Sequence, residues 1–261
     1  MPRLAARLEL TPPREGTIYL ARRDDQLPPE LARAMPRWAA GLTFPFRRII
    51  IVRLDRLNSP AFPGGFREVV RHELVHLVMG GMEREAFYRL QWWFHEGTAQ
   101  VLSSSRLFLR EAELGDLAAA GRLRSIERLG IEENPSRRAT DLAYQEAYSF
   151  ADYLEGRLGE RVFARIIAAA AGAEDFNQAF LVGTGYSYIT LEEEWKELLI
   201  SRPRATIARL AQDFFWFLLV LSVPLVVLAL RRRWRRDRRL EETWERQEFG
   251  ERPAGGDEEV E

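Results

Sequence analysis

The segment His72-Glu73-Leu74-Val75-His76 constrains this chain more than any other. It lies in a stretch that turns helical at Phe66, where Val69, Val70, Leu74, Val75, Leu77 and Val78 cover most of the helix circumference before Gly80-Gly81 ends it. A helix that is apolar on most sides is buried. Two histidines one turn apart in such a helix need partners for their ring nitrogens. The i, i+4 spacing puts both imidazoles on one face, within reach of one zinc ion. Glu73 is one residue on, rotated by about 100°. Its carboxylate can lie beside the ion without binding it, next to polarised water, and act as general base.

A catalytic zinc takes three protein ligands and keeps a fourth position open. The extended pattern HExxHxxGxxH fails, because Met79 stands where its glycine would be and Met82 where its last histidine would be. The next donors are the neighbours His95 and Glu96, in Trp92-Trp93-Phe94-His95-Glu96-Gly97-Thr98-Ala99. Adjacent helical residues diverge by about 100°, so one of the two binds and the other does not. Nineteen residues separate His76 from Glu96, enough for a helix–loop–helix return that lays a second helix against the first. Composition narrows the chemistry further. The chain has no cysteine, which excludes thiol catalysis and Cys-ligated metal sites. Its 38 basic and 39 acidic residues leave no basic surplus, so no nucleic-acid partner is expected.

HELVH followed by WFHEGTA resembles the gluzincin pattern, in which a downstream glutamate in an E-G-x-A context completes the site. More narrowly, residues 17–200 resemble the bacterial peptidase MA-like domains. In that pattern an apolar strand (here Arg48 to Leu54) precedes the HELxH helix, and a later helix opens on Ala143-Tyr144 and closes on Tyr153-Leu154 before Gly159. The resemblance implies an α+β, zincin-like fold: a small N-terminal β-sheet with a mainly helical body. It implies Zn2+ held by His72, His76 and Glu96, with Glu73 as general base and a peptide or protein as substrate. Position 95 is often small or polar in this pattern, and here it is a histidine. Bound Glu96 would turn His95 to the flank of the cleft, as a candidate to line the substrate site.

A tetrahedral intermediate also needs a donor for its oxyanion. Related gluzincins use a tyrosine, and Tyr144 and Tyr148 share one face of the later helix. The resemblance favours Tyr144. Gln100, one turn after Glu96, is a candidate to orient a zinc histidine, and Trp92-Trp93-Phe94 reads as core.

Elsewhere, Thr17 to Ala21 reads as a strand, Pro29 to Ala40 as a helix kinked at Pro36, and Asn58 to Gly65 as a turn. Helices are expected over Leu142 to Leu158, Glu160 to Ala171 and Thr190 to Ile200. Residues 214–230 form 17 apolar or uncharged positions in a row, at about 1.5 Å each the short end of a bilayer span. Seven arginines within Arg231 to Arg239 place the following tail in the cytoplasm. The organisation expected is a peptidase domain over 1–205, a transmembrane helix over 206–230, and a basic-then-acidic disordered tail over 231–261. The peptidase body is then extracytoplasmic. The N-terminal stretch carries no signal-peptide pattern, so the expectation of an exported body goes with either a true start upstream of Met1 or a trimmed N-terminus. The expected function is a membrane-anchored zinc peptidase; the alternative is a catalytically silent zincin-fold scaffold at the membrane.

Overall fold

In the computed structural model the described residues are 2–37, 39–57, 65–103, 111–130 and 136–201, with the isolated positions 224 and 231. The chain divides into two units, Met1–Arg202 and Pro203–Glu261, and every element below lies in the first. Nearly all of the 214–230 run, the tail beyond Arg231 and most of the Asn58–Gly65 turn lie outside the described residues. Among the described residues no helix is long and apolar enough to cross a membrane.

The fold is α+β. The strands are β1 (Thr17–Ala21), β2 (Gly41–Phe44) and β3 (Ile49–Arg53). The helices are α1 (Pro2–Leu8), α2 (Pro29–Ala34), α3 (Gly65–Met79), α4 (Arg84–Arg89), α5 (Trp92–Ser103), α6 (Glu111–Ala119), α7 (Arg137–Leu158), α8 (Val162–Ala170), α9 (Phe176–Thr184) and α10 (Tyr188–Ser201). The sheet order is β1-β3-β2, with β1 parallel and β2 antiparallel to β3. Ile50, Ile51 and Val52 of β3 are fully buried, as a central strand covered on both faces requires. Ile51 joins Leu31 and Met35 on the α2 side; Ile50 and Val52 join Val69 and Leu77 of α3 on the other.

Helix α2 stops at Ala34, not at Ala40. Pro36 explains the difference, because a proline forces the preceding residue out of the helical region; Met35 is extended, at φ −77° and ψ 115°. The freed residues loop over and feed β2. Arg56 braces this loop, its Nη1 donating to the carbonyls of Pro36 and Ala39 at 2.6 Å each.

Helix α3 is apolar on most sides because it separates two cores. Val69 and Leu77 face the sheet, while Val75, Val78 and Met79 face the helical body. The stripe left over carries His72, Glu73 and His76. Trp93 and Phe94 of α5 are buried among Phe150, Phe163, Phe176 and Phe180, as expected of core residues. Gly97 sets how closely α5 meets α7. A Cβ there would stand 2.5 Å from the Ala147 carbonyl oxygen and 2.8 Å from the Ala151 Cβ, so any larger residue drives the two helices apart.

Candidate active site

Three side chains from two helices converge on one point. His72 and His76 project from adjacent turns of α3, and Glu96 projects from the facing turn of α5. His72 Nε2 lies 3.2 Å from Glu96 Oε2 and 3.1 Å from His76 Nε2, and His76 Nε2 lies 3.7 Å from Glu96 Oε1. Two donors bound about 2.0–2.1 Å from a tetrahedral zinc are separated by about 3.3–3.4 Å. The three observed spacings bracket that value, and the donor set is the N,N,O kind that zinc accepts. The residues present therefore fit the ion.

Electrostatics agrees with geometry. Glu96 is deeply buried, which alone would favour its neutral form, yet the facing His76 and His72 hold its carboxyl far below the usual range. Burial pushes the His76 imidazole down, but the Glu96 carboxylate outweighs it and the net shift is upward. The site is thus built around an ionised carboxylate that two imidazoles face.

Glu73 stands apart from these donors. It is nearly buried, and its Oε2 accepts a 2.6 Å hydrogen bond from Thr43 Oγ1 of β2. A cleft of about 180 Å³ runs between β2 and the two helices. Its wall includes Ala39, Leu42, Val69 and Gln100, beside His72, Glu73, His76, Glu96 and Tyr144.

Residues 3–201 match the family model described as peptidase MA superfamily. The chain belongs to that superfamily. No curated protein and no solved structure matches the chain.

In this peptidase MA domain Tyr144, not Tyr148, lines the cleft. Its phenol is hydrogen-bonded to Glu96, and burial together with the Glu96 and Glu73 carboxylates raises it well above an ordinary tyrosine. It therefore keeps its proton and serves as a donor, never as a base. Trp92 packs edge-on against the Tyr144 ring, with centroids 5.0 Å apart. Gln100 does not reach a histidine. It donates from Nε2 to the Tyr144 main-chain oxygen at 3.1 Å, tying α5 to α7 at the turn that carries the phenol.

His95 departs from expectation as well. It does not line the cleft; its ring packs 4.4 Å from that of Phe87, and its Nε2 lies 3.1 Å from the Phe87 carbonyl. Burial, with the His76 charge second, pushes its imidazole down to about 4, so it is neutral. A carbonyl only accepts, which fixes the proton on Nε2. The divergence of neighbouring side chains places His95 on the α4 side once Glu96 faces α3.

Thr43 and Gly41, which touch Glu73, were not anticipated. The signal was present as a Gly-x-Thr pair at strand spacing. Without the knowledge that 41–44 is a strand, it reads as part of a turn.

Proposed function

We propose that this domain is a gluzincin-type zinc peptidase that hydrolyses peptide bonds with Glu73 as general base. The observation that carries the reading is the separation of roles within one cleft: three converging donors, and a second carboxylate, Glu73, beside them and hydrogen-bonded to β2. His72, His76 and Glu96 would hold the zinc, which when bound supplies Lewis acidity and makes water acidic enough to ionise near neutral pH. Glu73 takes the proton of the attacking water and passes it to the leaving amine. Ala39 and Val69 give the cleft an apolar wall, and a drier surface beside the reacting groups strengthens the electrostatic interactions there. Incubation of the zinc-loaded protein with a peptide library, read by mass spectrometry against Glu73→Gln, tests the activity.

Tyr144 supplies the hydrogen-bond donor for the oxyanion in this reading. Its proton, given to Glu96 at rest, turns to the oxygen that gains charge. Loss of one such donor costs about 10²–10³-fold in turnover. Tyr144→Phe is therefore expected to lower kcat by about that factor with zinc retained. A fall in zinc content instead, with kcat per bound zinc unchanged, would assign the phenol to holding Glu96 alone.

The chain anchors in a lipid bilayer through residues 214–230, with the arginine-rich 231–239 segment on the cytoplasmic side and the peptidase domain on the other. The charge asymmetry supports this orientation. In spheroplasts, added protease is expected to degrade residues 17–200 without lysis. Protection of that region until the membrane is broken would reverse the assignment.

A further inference from the structure

The general base in this site is held from outside the metal-binding helices. In β2, Leu42 and Phe44 face the α2 side of the sheet, so Gly41 and Thr43, alternating with them, face α3. Both meet Glu73. A Cβ built on Gly41 would lie 2.8 Å from the Glu73 Cδ and Cγ and closer still to Oε1, so glycine alone leaves room for the carboxylate at that position. Two residues on, Thr43 Oγ1 lies 2.6 Å from Oε2 and 3.1 Å from the main-chain oxygen of Glu73.

We propose that Gly41 and Thr43 form a cradle on β2 that positions the Glu73 carboxylate for proton transfer, with Thr43 a positioning residue that acts through Glu73. The proposal rests on the peptidase reading for its consequence, but its geometry stands on the strand and helix alone. Gly41 defines where Oε1 fits, and Thr43 pins Oε2. A carboxylate bonded at Oε2 by a strand hydroxyl and packed against a glycine on its other side loses rotamer freedom that an exposed glutamate side chain has.

Serine keeps the hydroxyl, whereas valine keeps the shape and removes it. Thr43→Val is expected to lower kcat by about 10- to 100-fold, the scale of a misplaced catalytic group, with KM changed less than about threefold. Thr43→Ser should recover most of the loss, and both variants should bind zinc as the wild type does. Crystal structures of the zinc-loaded wild type and of both variants give the readout that needs no substrate. The carboxylate should leave its place over Gly41 in Thr43→Val and keep it in Thr43→Ser. A Glu73 side chain unmoved in Thr43→Val, a kcat equal to wild type, or an equal loss in the serine and valine variants overturns the proposal. Should the wild type cleave no peptide at all, the peptidase reading fails, while the crystallographic comparison still decides whether β2 positions Glu73.

Discussion

Glu73→Gln is expected to abolish peptide hydrolysis while leaving the zinc content of the protein unchanged. The carboxylate is not one of the three converging donors. Glu73 extends from α3 to accept a hydrogen bond from Thr43 of β2, while the donors are His72, His76 and Glu96. Glutamine has the same shape, and its amide oxygen can still accept from the Thr43 hydroxyl, so the local packing and the strand contact survive. What the amide cannot do is take a proton from water. Loss of a positioned general base costs about 10²–10⁴-fold, or roughly 3–5 kcal/mol of transition-state stabilisation. The measurement is the initial rate on any peptide that the wild type cleaves, with zinc quantified in the same preparations. A variant that hydrolyses at a near-wild-type rate would remove Glu73 from the mechanism. The same experiment separates an enzyme from a silent scaffold, since a scaffold has no rate to lose.

The ligand helix was legible because its sequence is over-determined. Helix α3 must present three kinds of surface: one to the sheet, one to the helical body and one to the ligand site. A segment that is apolar nearly all round except at His72, Glu73 and His76 has few other uses. Helix α7 was legible for a similar reason, with a buried stripe from Ala143 to Leu154. The β2 strand was not. Its four residues contain a glycine and a threonine and run into Pro45, so local propensity points to a loop. What makes it a strand is pairing with β3, a tertiary cause with no local trace. Missing β2 also hid the residues that touch Glu73. Spacing alone could not separate Tyr144 from Tyr148, because i, i+4 puts both on one face of α7; the match to the Ala-Tyr opening favoured Tyr144. The contact of α7 with α5 distinguishes the residue at the cleft from the one beyond it. Residues carried by recognisable motifs on α3, α5 and α7 could be named from the sequence, whereas the contacts that β2 makes with Glu73 became visible only in the fold.

The second large effect concerns which of two neighbours completes the metal site. Glu96→Ala is expected to strip the zinc, and His95→Ala to leave it in place. Glu96 faces both histidines, at 3.2 and 3.7 Å, and its carboxyl is held ionised by them. Its removal leaves two neutral donors, one fewer than a catalytic zinc takes. Loss of a group that merely orients a ligand costs about 10–100-fold in metal affinity, and loss of a ligand should exceed that. It also removes the negative charge that offsets the ion in a buried site, which adds to the penalty. His95 is turned the other way, neutral and packed on Phe87, with Nε2 committed to the Phe87 carbonyl. Its truncation opens a cavity between α4 and α5, so it should lower thermal stability by a few kcal/mol while metal content stays stoichiometric. The two variants thus predict opposite patterns: zinc lost with the rest of the core still packed for Glu96→Ala, and zinc kept in a less stable protein for His95→Ala. Zinc content and chelator resistance, measured beside melting temperatures of the metal-free forms, distinguish them. Zinc retained in Glu96→Ala and lost in His95→Ala would mean that α5 rotates by about one residue when the ion binds, and the ligand set assigned here would be wrong.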